Sequence, residues 1–222
     1  MFDALSAEIG RHGLTAKKGQ IIDASLVPVP KQRNSREENA DIKAGEVPQD
    51  WSENKARQKD TDARWTKKNG QSHYGYKNHI NVDNEHKIIR EYEVTTASVH
   101  DSQVIESLLD EENSDKEVYA DSAYRSEETE ASLKEQGYRS RIHRKGKRNK
   151  PLTRREQQGN RIKSVVRVRV EHIFGAIVNN MGGKLVRTIG LERAKTKIGL
   201  TNLVYNLKRF ACLRREVASE IR

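Results

Sequence analysis

The stretch 74–96, YGYKNHINVDNEHKIIREYEVTT, decides the fold class. Its first ten residues, Tyr74 to Asp83, alternate with the two-residue rhythm of a strand. Asp83-Asn84-Glu85-His86 has turn chemistry and Ile88 to Thr96 is strand-like again, so the segment reads as a β-hairpin. Toward the N-terminus, Gln20-Ile21-Ile22-Asp23-Ala24-Ser25-Leu26-Val27 is a further short strand, ended by Pro28 and Pro30. Toward the C-terminus, Glu117 to Asp121 is a strand that closes on a carboxylate, and Tyr138 to Ile142 is the last strand expected. Helices are expected over about 102–109 and after Ser126, with Asp101 and Ser126 as N-caps and Gly137 as the stop. Val166, Val170, Ile173 and Ile177 form one apolar stripe, which predicts a helix over about 161–180. A final helix over about 192–215 carries Ile198, Leu203, Leu207 and Phe210. Strands in succession, followed by strand–helix alternation, make a mixed α/β domain with an antiparallel and a parallel part of one sheet.

Two segments lie outside that pattern. Residues 1–18, with Phe2, Leu5 and Ile9 at helical spacing, read as the end of a helical region broken by Gly10 and Gly13. Residues 31–73 are dense in charge and nearly free of aliphatic side chains, so they bury too little apolar area to offset their own ordering entropy. The expectation there is a mobile inserted loop after the first strand, anchored by Trp51 and Trp65. The domain boundaries expected are 19–215 for the main body and 216–222 for a tail.

The chain of 222 residues is 34% hydrophobic and 33% charged, with a formal net charge of +10, which points toward a polyanionic partner. Cys212 stands alone, which excludes an intrachain disulfide and leaves too few thiolates for a zinc finger. No apolar run reaches the ~20 residues of a membrane span, and the first residues lack a signal-peptide pattern. A cytoplasmic, nucleoid-associated protein without membrane contact is the expectation. Residues 139–155, RSRIHRKGKRNKPLTRR, hold nine Lys or Arg and no acid. Within them Arg141, His143, Arg144, Lys145, Lys147, Arg148 and Lys150 are candidates for phosphate contacts, although a solvated linker would look the same.

Three carboxylates stand out. Asp23 lies in an apolar strand, Asp121 ends one, and Glu171 lies on a helix with Arg167 one turn before it. An acid in an apolar strand is costly unless something pairs with it. Three such acids at strand ends would make an oxygen-only site for Mg2+ or Mn2+. Each also has a plainer role: Asp23 as a turn cap, Asp121 as a helix-entry residue, Glu171 as the ion-pair partner of Arg167. Spacing alone does not choose between these.

The segments GQIIDASLVPVPKQRN, HYGYKNHINVD, VTTASVHDSQV, YADSAYRSEE and VEHIFGAIVNNMGGKLVRTIGLERAKTKIGLTNLVYNLKRF, in that order, resemble bacterial insertion-sequence DDE transposases. The resemblance runs from about Gly19 to Phe210. It implies a ribonuclease-H-like mixed sheet flanked by helices, and metal-dependent cleavage and transfer of DNA strands with two divalent ions. By motif the acid triad falls on Asp23, Asp121 and Glu171, and Arg167 matches an arginine that often precedes the glutamate. Ser164 stands where related groups often carry a tyrosine, and Val178 where they carry a lysine, which leaves Lys184 as the candidate for that phosphate contact. His100 and Tyr124 are expected near the site. The resemblance also implies an N-terminally shortened member that binds double-stranded DNA, both transposon ends and target, as a homo-oligomer. Two other classes stay open: an inactive DNA-binding remnant, and a ribonuclease-H-like nuclease without strand transfer.

Overall fold

A computed structural model describes residues 1–68 and 70–220 of the chain. The elements run α1 (Phe2–Arg11), β1 (Gln20–Pro28), α2 (Arg36–Ala44), α3 (Glu53–Gln58), β2 (Arg64–Lys68), β3 (Gln71–Asp83) and β4 (Ile89–Thr96), then β5 (Glu117–Ala120), α4 (Glu127–Glu135), β6 (Arg139–Ser140), α5 (Arg154–Asn180) and α6 (Leu191–Glu220). The main sheet has the order β4-β3-β1-β5-β6. β1 and β4 flank β3 antiparallel, while β5 lies parallel to β1 and β6 parallel to β5. This is the mixed, helix-flanked sheet expected of a ribonuclease-H-like domain. No helix among the described residues is long and apolar enough to cross a membrane.

Both faces of the sheet are covered, and side-chain alternation along β1 sorts its residues between them. Ile21 packs with Ile80, Val82 and Ile89 beneath Val170, Ile173 and Ile177 of α5. Ile22 turns the other way, to Val104, Leu108, Val118 and Leu133. α5 starts earlier than its apolar stripe suggested, because Thr153 and Glu156 form a capping box ahead of it.

The helix expected at 102–109 is instead two short 3-10 turns, Asp101–Val104 and Glu106–Leu108. His100, not Asp101, caps the first of them, since Asp101 is taken by Lys77 Nζ at 2.7 Å. The last helix buries Ile198 and Leu203 but leaves Leu207 exposed.

The mobile loop expected over 31–73 is largely ordered secondary structure. Ser35 and Glu38 form a capping box on α2, and Gly45 ends it in the left-handed conformation. Trp51 is buried and its Nε1 donates to Glu38 at 2.6 Å, with the ammonium groups of Lys55 and Lys59 over its ring. Trp65 stays exposed, so only one of the two tryptophans anchors the segment. What ties the segment to the sheet is Asp60. Its buried carboxylate accepts from Tyr76 Oη at 2.8 Å and from the amide of Ala63 at 3.0 Å, and its carbonyl accepts from Tyr74 Oη.

α6 docks on the sheet through two asparagines one turn apart. The side chains of Asn202 and Asn78 exchange hydrogen bonds at 2.9 and 3.1 Å, fully away from solvent. Asn206 accepts from the amide of Ile89 at 2.9 Å and donates to its carbonyl at 2.8 Å. Asn202→Ala leaves the buried amide of Asn78 without its partner and should cost ~1–3 kcal/mol. In thermal denaturation, the Asn78→Ala/Asn202→Ala double variant should lose less than the sum of the two single variants. Additive losses would mean that the pair acts by packing alone.

Candidate active site

Three elements converge where the parallel pairing of β1 with β5 stops. That pairing sets Ile22 beside Ala120, so the next residue on each strand, Asp23 and Asp121, come side by side. Asp23 shares the face of Ile21, beneath α5. Asp121 leaves its strand and caps a short 3-10 turn, Ser122–Tyr124, by accepting from the Ser122 amide. From above, α5 supplies Arg167 and, one turn later, Glu171.

The centre of the cluster is a guanidinium. Arg167 Nη1 lies 3.0 Å from Asp23 Oδ2 and 3.9 Å from Asp121 Oδ2, and Nη2 lies 3.4 Å from Glu171 Oε1. Arg167 is only 19% exposed and Asp23 14%, whereas Glu171 is 55% exposed. Burial lifts the Asp23 carboxyl above its ordinary value, and Arg167, the Ala24 amide and Lys68 pull it back without overcoming that. At Asp121 burial also pushes upward, but Arg167, Ser122 and His143 outweigh it and hold the carboxyl low. Two buried polar atoms here lack a partner: Arg167 Nε and the hydroxyl of Tyr124. Burial raises the Tyr124 hydroxyl well above its ordinary pKa, and the charges of Asp23, Asp101 and Asp121 add to that. Among the described residues, no three His, Cys, Asp or Glu side chains stand grouped as they would be to hold one metal ion. Arg167 stands in the middle of the acids instead.

The basic segment divides. His143 donates its amide to the Ala120 carbonyl at 3.1 Å and stands close enough to Asp121 to act on its charge. Arg141 is paired with Glu117 and Arg144 with Glu156, so both are partly neutralised. Lys145, Lys147, Arg148 and Lys150 lie exposed on the turn that precedes α5, and no ion pair holds them among the described residues. Lys184 is exposed in the turn beyond the C-terminal end of α5, nine residues and thus ~13 Å of helix past Glu171. The amide of the preceding Gly183 donates to the Ile177 carbonyl at 3.0 Å, which folds this turn back against α5. His100 lines a groove next to β1 together with Lys67 and Lys68 of β2. Those two lysines were hidden by the reading of 31–73 as a loop; the only signal for them was the doublet in RWTKKNG.

Residues 15–207 match the family model of the transposase DDE domain. A transposase for insertion sequence element IS1106 from Neisseria meningitidis serogroup B is 30% identical over 217 residues, which cover 95% of this chain and 72% of that protein. No solved structure matches the chain.

Proposed function

The chain belongs to the family of transposase DDE domains, and from that premise we propose that Asp23, Asp121 and Glu171 are the acids at which it cuts and joins DNA at insertion-sequence ends. The observation that carries this reading is the gathering of all three carboxylates around one guanidinium, where the parallel strands end. Sites in such sheets form outside the C-terminal ends of parallel strands.

The chemistry of the donors suits a hard dication, with Arg167 standing between the acids where it would bind. The donors are carboxylates only, the cluster carries more negative than positive charge, and an unpartnered hydroxyl lies beside it. Asp23, Asp121 and Glu171 would hold magnesium or manganese, which would supply Lewis-acid activation of the attacking oxygen and charge neutralisation at the leaving oxygen of a phosphodiester. Asp23 and Asp121 contribute donors fixed by the sheet. Glu171, half exposed on its helix, is the acid free to adjust. Arg167 carries a fork of N–H groups that suits a phosphate as well as a carboxylate. His143 adds a polar group at the Asp121 side of the site.

The test is incubation of the purified protein with duplexes bearing the element's ends, with and without magnesium. Nicked and joined products are expected. Nicks without joining would reduce the reading to a nuclease, and DNA binding without any product would leave only a binding remnant.

The exposed turn before α5 is proposed as the phosphate track. Changing Lys145, Lys147, Arg148 and Lys150 together to alanine should flatten the dependence of log affinity on log salt by up to ~3.6 units, at ~0.9 per phosphate contact. Arg144 is left in place because its ion pair with Glu156 helps hold the start of α5. An unchanged slope in a salt titration would remove the turn from the interface.

A further inference from the structure

The pairing of β1 with β3 ends at Pro28 opposite Gly75, and the β2–β3 arm continues past that point. Gln71, the partner of Lys68, is four residues beyond the last pair, and Ala24 is four residues inside it. At ~3.3 Å per residue a straight arm would hold Lys68 and Ala24 more than ~20 Å apart. They nevertheless line one groove of about 210 Å³, and the charge of Lys68 acts on Asp23. The arm therefore bends back over the sheet. Gly75 sits at the bend with φ +150°, and a Cβ there would meet the Val27 carbonyl at 2.3 Å.

The groove has a distinct chemistry. Thr66, Lys67 and Lys68 of the arm line it together with Ala24 and Leu26 of β1 and with His100, Asp101 and Ala123. Lys77 also borders it, but its ammonium is held by the Val99 carbonyl at 2.6 Å and by Asp101 at 2.7 Å, so its charge is already matched. Lys67 and Lys68 are exposed, and no hydrogen bond or ion pair holds either ammonium among the described residues. Ala24 and Ala123 are close chain neighbours of Asp23 and Asp121, so the groove lies at the same strand ends, with Ala24 on the face of β1 opposite Asp23. The turn carrying Lys145 to Lys150 lies on the other side of the acid cluster, after β6.

We infer that the bent β2–β3 arm is a second DNA contact, in which Lys67 and Lys68 hold a backbone phosphate of the strand that lies across Asp23 and Asp121. The inference rests on the proposed role of those acids. Two free ammonium groups suit a phosphate as point charges and carry no base preference.

The test compares the wild type, Lys67→Gln/Lys68→Gln, and a control with the same charge removed elsewhere, Lys134→Gln/Lys208→Gln, on one end duplex. Both double variants change exposed side chains only and should melt close to wild type. The arm variant should lower the salt slope by ~1.8 units, and the control should leave it within error of wild type. Ethylation of single phosphates along the duplex should show at least one position that weakens wild-type binding and has no further effect on the arm variant. If the arm variant matches the control in slope and ethylation pattern while the wild type still cuts with magnesium, the arm contact is wrong and the acid assignment stands. If the arm variant shows its loss but no protein cuts, the acid assignment fails and the contact survives as a binding site. A wild type that binds no DNA overturns both.

Discussion

Asp121→Asn is expected to lower magnesium-dependent strand cleavage by ~10³-fold or more while DNA affinity changes little. A metal ion stabilises the charge of such a reaction by several kcal/mol, and each ~1.4 kcal/mol lost from the barrier's stabilisation is tenfold in rate. Asparagine keeps the shape of the side chain and one oxygen to cap Ser122. It removes the charge on which a dication depends. The stability of the metal-free protein should change by less than ~1 kcal/mol, because Asp121 is 43% exposed and its contact with Arg167 is the longest of the three, at 3.9 Å. Cleavage of an end duplex, binding of the same duplex and melting without metal would be measured together. A variant that cleaves within tenfold of wild type would take Asp121 out of the chemistry. One that melts many degrees lower would make it a structural residue.

The second large effect concerns the residue between the acids. Arg167→Ala leaves three carboxylates facing one another, with Asp23 buried beneath α5. Removing one partner of a buried ion pair costs ~3–5 kcal/mol. This cluster is partly open, so ~2–4 kcal/mol is expected, or a melting temperature lower by roughly 2–4 °C for each kcal/mol. Magnesium or manganese at millimolar concentration should restore much of the loss, since a cation that binds only the folded state supplies the missing charge. The metal should therefore raise the melting temperature of Arg167→Ala more than that of wild type. Arg167→Lys keeps a charge but not the fork and should fall between the two. Equal metal shifts for all three proteins would mean that Arg167 does not stand where a cation belongs.

The sheet was legible because period-two alternation is local. Ile21 and Ile22 take opposite faces, the 74–96 hairpin carries its own turn, and Asp121 follows a run of strand residues. The helix over Val170, Ile173 and Ile177 was legible from its stripe, while its true start lay in the Thr153–Glu156 capping box. The segment 31–73 was misread because its order comes from afar. Asp60 is held by Tyr74 and Tyr76 of β3, and composition says nothing about that pairing. The spacing of Arg167 and Glu171 predicted their contact. The contact of Arg167 with Asp23 spans 144 residues and is written only in the fold. Lys184 was placed by motif alone, and it lies exposed in the turn after α5. The bent arm was invisible for a third reason: a glycine at the junction of two strands does not announce the direction of a bend.

The order of the strands also has a consequence during synthesis. β1 occupies the middle of the sheet, yet it is made first and its partners follow one by one. The hairpin of β3 and β4 is a local structure that can form as it emerges. The acid cluster cannot, because Asp23 waits 144 residues for Arg167. At ~5–20 residues per second that interval is about 7–30 s on the ribosome. A chain arrested between Asp121 and α5 carries both aspartates without the helix that brings Arg167 and Glu171 to them, so the acid cluster exists only in chains whose synthesis has passed α5.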